Sequence, residues 1–104
     1  MWLRLFVCIP ILLAFQVTWA KASERLLIIG DSLTAGYGVE KEAAYPAQLQ
    51  IIMRKKWPEK KIEVVNAGSS GSTSASAVNL LKWHLRRKPT HLILALGAND
   101  GLRG

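Results

Sequence analysis

The chain has 104 residues, half of them hydrophobic and one fifth charged, which leaves room for one small domain. Its only cysteine, Cys8, rules out a disulfide framework. The net charge of +7 raises nucleic acid as a partner, but the cations gather at Arg54-Lys55-Lys56, Lys60-Lys61 and Arg86-Arg87-Lys88. Two of these groups stand just before a proline that ends a helical pattern, where cations complement the helix dipole. Solvated helix ends are therefore expected, and no nucleic-acid partner.

Residues 1–22 have the order of a secretory leader: Arg4 near the start, an apolar run from Leu5 to Phe15, then Ala20 and Ala22. The run is shorter than the roughly 20 apolar residues that span a bilayer. Cleavage after Ala20 or Ala22 is predicted, leaving no stable membrane anchor and a periplasmic or secreted domain over 23–104. Cys8 lies in this leader, and bulky Phe6-Val7 before it do not suit a lipoprotein signal. The mature chain would thus contain no thiol, which excludes cysteine catalysis.

Leu26-Leu27-Ile28-Ile29, closed by Gly30, reads as a strand buried on both faces. Tyr45-Pro46 opens a helix with Leu49, Ile52, Met53 and Trp57 at helical spacing, stopped at Pro58. Ile62–Asn66 is predicted as a second strand. Thr73 or Ser74 can cap a second helix whose apolar stripe runs through Val78, Leu81 and Leu85 to Pro89. Leu92–Leu96 is expected to be a third buried strand. Strands alternating with helices imply right-handed crossovers and a parallel sheet.

Ligands of such sheets bind beyond the carboxyl ends of the strands. Three loops leave those ends, Gly30–Gly38, Asn66–Ser72 and Gly97–Gly104, all rich in glycine and small polar residues. In the first, Ser32 can project its hydroxyl into the crevice and its N–H toward a developing oxyanion; a helix-cap or turn serine is the plainer role. The loop matches neither G-x-G-x-x-G, a Walker loop nor G-x-S-x-G. In the second, Gly71 lets a substrate oxygen approach the backbone, or simply makes a tight turn. In the third, Asn99 can donate its amide to an oxyanion, or form an asparagine turn. No His/Cys/Asp cluster suggests a metal, and no organic cofactor is implied.

Gly30-Asp31-Ser32-Leu33 near the mature N-terminus, a glycine after the second strand and Gly97-Ala98-Asn99-Asp100 after the third together resemble the GDSL/SGNH hydrolase superfamily. The longer strings Gly30–Gly38 and Gly97–Gly104 look closest to its periplasmic thioesterase, lysophospholipase and arylesterase branch. The resemblance implies a three-layer, flavodoxin-like α/β fold with a parallel sheet, here truncated after the third strand. It further implies a Ser32 nucleophile and an oxyanion hole made by the Ser32 N–H, the Gly71 N–H and the Asn99 side chain. Asp31 and Asp100 would be supporting residues, neither of them the acid of a triad. The substrate would be a small acyl ester or thioester, lipid esters included.

A serine hydroxyl needs an adjacent general base. The family supplies it from an Asp-x-x-His motif that these 104 residues do not contain. His84, inside the second helix, and His91, at the start of the third strand, are expected to pack or lie at the surface. A fragment of a longer reading frame is the expectation, weakly folded and weakly active alone. A flavodoxin-like module binding an anion or nucleotide in the same crevice, or a non-catalytic remnant, is the alternative.

Overall fold

The computed structural model describes residues 23–103. The expected leader, its two cleavage sites and Cys8 lie outside the described residues. Strand β1 (Glu24–Gly30) runs into a single helical turn, α1 (Ser32–Ala35), and then α2 (Tyr45–Lys56). Strand β2 (Ile62–Gly68) is followed by α3 (Ser74–His84), β3 (His91–Ala95) and α4 (Ala98–Arg103). The sheet order is β2-β1-β3 and both pairings are parallel. The fold is therefore α/β with an open parallel sheet, as the alternation of strand and helix patterns predicts.

The register brings the three glycine-rich segments to one end of the sheet. Gly30 stands opposite both Gly68 and Ala95, so the three strands end level. Alternation along β1 divides the core between the two faces. Leu27 and Ile29 join Val65 and Ala67 in one buried cluster, against which Leu80 and Leu81 of α3 and Leu96 pack. On the other face, Met53 and Trp57 of α2 share a groove with Leu26 and Ile62.

The outer edge of β2 is covered by one side chain. The Gln50 amide donates to the Ile62 carbonyl at 2.9 Å and accepts from the Val64 N–H at 2.7 Å. This satisfies backbone groups that an edge strand otherwise leaves open.

Several sequence expectations need correction. The second strand continues through Ala67 to Gly68. The third strand is not buried: Leu92, Ile93 and Leu94 are 46%, 39% and 58% exposed. Among the described residues β3 has a partner on one side only, and neither α2 nor α3 packs closely over it. The stripe of α3 is also rotated. Val78 and Leu85 are exposed, and the inward face is Ala77, Leu80, Leu81 and His84, about one residue or 100° away. Ile52 of α2 is likewise exposed, whereas Pro46, Leu49, Met53 and Trp57 face inward. Finally, the last segment is not a loop, because Asn99 and Asp100 lie in the first turn of α4.

Candidate active site

Asp31 sets the conformation of the first loop. It is buried, it is the N-cap of α1, and its carboxylate accepts from the Leu33 N–H at 3.0 Å. Ser32 is the first helical residue, so its own N–H belongs to the turn's unpaired donors. Its carbonyl accepts from the Gly36 and Tyr37 N–H groups at 3.0 and 2.9 Å, closing the turn behind the side chain. Gly36, at φ 92°, is the left-handed residue that ends α1.

Two contacts fix this turn, one to α2 and one to β2. Thr34 is almost fully buried, and its hydroxyl hydrogen-bonds the Tyr45 hydroxyl at 2.7 Å. Its carbonyl accepts from the Asn66 side-chain amide at 2.8 Å, while the Asn66 carbonyl oxygen accepts from the Gly68 N–H at 2.8 Å. α1 thus lies directly on the end of β2. A Cβ on Gly68 would stand 2.3 Å from the Ala35 nitrogen, so only glycine fits that approach.

The second loop is bound to the first strand by the Ser69 N–H, which donates to the Gly30 carbonyl at 3.0 Å. Ser72 N–H then closes a turn on the Ser69 carbonyl at 3.1 Å, with Gly71 at φ 80° in its third position. That φ suits a turn that demands glycine there.

The first turn of α4 is bound to the second loop. The Asn99 amide donates one N–H to the Ser72 carbonyl at 2.9 Å. An amide nitrogen carries two hydrogens, so the second remains to point elsewhere. The Asp100 carboxylate accepts from the Ser74 N–H at 2.9 Å and from its hydroxyl at 2.5 Å. Thr73 occupies the N-cap position of α3 without a capping bond, and Asp100 supplies the cap from across the site. The Ser74 hydroxyl, then the Ser74 N–H, hold the Asp100 carboxyl below its ordinary range, so it is ionised at neutral pH. The Arg103 guanidinium lies over Gly71, 3.1 Å from where a Cβ would stand.

Ser32 in α1, Gly71 in its turn and Asn99 in α4 therefore sit together at the carboxyl end of the sheet, joined through Gly30–Ser69 and Ser72–Asn99. Among the described residues, no direct hydrogen bond links Ser32 to Gly71 or Asn99. Neither histidine is near. His91 starts β3 at the opposite edge, its ring nitrogen 3.0 Å from the Thr90 hydroxyl. His84 closes α3 at that same far edge, its ring edge-on to Trp83. Burial, reinforced by the Arg87 charge, lowers its pKa.

The sequence reading missed Asn66, the Thr34–Tyr45 pair and Ser72, and it took Ser74 only as a candidate cap of the second helix. Asn66 carried a signal, an asparagine two residues before a glycine at a strand end, where Asx bonds are common. The others depend on contacts between distant segments.

Residues 28–104 match the GDSL-like lipase/acylhydrolase family, and the chain belongs to that family. It is 44% identical over 98 residues to thioesterase 1/protease 1/lysophospholipase L1 of Escherichia coli (strain K12), covering 90% of this chain and 42% of that protein. An arylesterase of Vibrio mimicus is 37% identical over 86 residues, which are 82% of this chain and 42% of the relative. Among solved structures, the SGNH-hydrolase family esterase AlinE4 superposes with a TM-score of 0.68 at 38% identity, over 83% of this chain and 46% of that one. The chain spans less than half the length of these relatives.

Proposed function

We propose that these residues form the nucleophile and oxyanion-hole half of an exported serine ester hydrolase. Ser32 Oγ attacks the acyl carbonyl, and the negative charge that develops on the carbonyl oxygen meets the Ser32 N–H, the Gly71 N–H and the free hydrogen of the Asn99 amide. The tetrahedral intermediate collapses to an acyl-serine and expels an alcohol or thiol, and water then releases the acid. The proton taken from Ser32 goes to a general base outside these 104 residues. Asp31 and Asp100 act on the backbone, Asp31 by capping the Ser32 turn and Asp100 by bonding α4 to α3.

The observation that carries this reading is the level ending of the three strands, which puts the Ser32 turn, Gly71 and Asn99 at one edge. Relatives named as a thioesterase, lysophospholipase and arylesterase support acyl esters or thioesters as the substrate class. The leader-like order of residues 1–22 supports a periplasmic or secreted location, and no described helix is long and apolar enough to cross a membrane.

Hydrolysis of p-nitrophenyl esters by the full protein tests the assignment. Ser32→Ala is expected to abolish turnover, and Asn99→Ala to lower kcat by about 100- to 1000-fold with little change in KM. Turnover by Ser32→Ala at the parent rate contradicts it.

A further inference from the structure

We propose that the end of the sheet opposite the catalytic loops is a docking surface for an anionic phospholipid bilayer. In each crossover the helix runs back against the strands, so the carboxyl ends of α2 and α3 lie where the strands begin. Arg54, Lys55 and Lys56 form the last turn of α2, and Lys61 follows just before β2. Lys82 stands in the last turn of α3, and Arg86, Arg87 and Lys88 follow before β3. The start of β1 is the seam between the two groups. The Glu24 N–H donates to the Lys61 carbonyl at 2.8 Å, and the Arg25 guanidinium donates to the Arg87 carbonyl.

The carboxylates at this end do not balance these charges. Glu24 pairs with Lys60 at 3.5 Å and Glu63 with Arg25 at 2.7 Å. Glu59 is the one acid left for the eight cations just named, none of which has a salt bridge among the described residues. α3 packs on the Leu27 and Ile29 face and α2 on the Leu26 face, so the two groups lie on opposite faces of the sheet at the same end. Exposed charges further apart than the Debye length, about 8 Å at physiological salt, are screened from one another, so each group is a positive patch of its own and a flat anionic surface across this end meets both.

Apolar side chains standing among the cations favour a bilayer over nucleic acid. Trp83 and Leu85 are 59% and 52% exposed beside Lys82 and Arg86. The Trp57 ring carries the Lys56 and Lys60 ammonium groups at 4.9 and 5.9 Å. Phosphate contacts on a duplex need charge alone, whereas the lipid interface takes aromatic rings and cations together. A protein docked this way presents the Ser32 edge away from the lipid.

Co-sedimentation of the full protein with vesicles tests the surface without reference to catalysis. Binding to phosphatidylglycerol, absence of binding to phosphatidylcholine, and weakening by added salt are expected. Two triple variants, R54Q/K55Q/K56Q and R86Q/R87Q/K88N, each remove one group; asparagine at 88 suits the left-handed φ of 51° there. Each is expected to weaken phosphatidylglycerol binding about a hundredfold, roughly five-fold per cation. All variants share one N-terminus, and if one fails to fold the other carries the test. Lys41→Gln, at the catalytic edge, is expected to change little. Equal binding to both lipids, unchanged binding in a folded triple variant, or retention on duplex DNA without vesicle binding would overturn the proposal.

Discussion

Gly68 and Gly71 stand three residues apart in one loop and are held to glycine for different reasons. Gly68 has no room, because α1 lies on it and a Cβ would meet backbone at 2.3 Å. Gly71 has a φ of 80°, and the group nearest its missing Cβ is the far end of the flexible Arg103 side chain. Gly68→Ala is therefore expected to cost about 3 kcal/mol of stability, seen as a lower urea midpoint. Gly71→Ala costs about 1–2 kcal/mol for its left-handed backbone, and its larger effect falls on kcat. Sequence alone read Gly71 as a close approach or a turn, and it did not resolve Gly68, whose constraint comes from a helix turn more than thirty residues earlier. His84 carries a pH dependence of its own. Burial lowers its folded-state pKa, so the unfolded chain takes up a proton first as pH falls. Its contribution is full above the ordinary value of 6.5 and declines as pH drops from there toward the lower folded value. The urea midpoint of His84→Gln is expected to fall less than that of the parent between about pH 7 and pH 5.5.

The elements themselves were legible because their signals are local. An apolar run closed by glycine gave β1, and Pro46 and Pro58 bracketed α2. Their inward faces were less legible. Val78-Leu81-Leu85 and Ala77-Leu81-His84 are both helical stripes, and packing on Leu27 and Ile29 chose the second. The cap of α3 was not legible either, since it comes from Asp100 rather than from Thr73 or Ser74. Asp100→Ala is expected to destabilise by about 1 kcal/mol, a fall of roughly 4–8 °C in Tm. Ser74→Ala should lose part of the same interaction and add little to Asp100→Ala, because the two residues share one bond network.

At the scale of the molecule, the two sheet edges are unlike. Gln50 covers the outer edge of β2, whereas β3 leaves Leu92, Ile93 and Leu94 open. The run from Leu92 to Leu96 promised a buried strand, but burial depends on what packs over it, which no run of residues encodes. A polypeptide restricted to residues 23–104 is expected to aggregate and to hydrolyse p-nitrophenyl esters only weakly, as light scattering and initial rates would record. The placement of the three segments at the carboxyl end of the sheet was readable from strand order and the carboxyl-end rule, and the hydrogen bonds that join them were not. The proposed role of Ser32 as the acyl-accepting nucleophile is open to a direct test: treatment of the full protein with a fluorophosphonate and mapping of the adduct by peptide mass spectrometry. One adduct is expected, on Ser32, and none in Ser32→Ala. An adduct on another residue of a protein that hydrolyses esters, or undiminished labelling of Ser32→Ala, would contradict it.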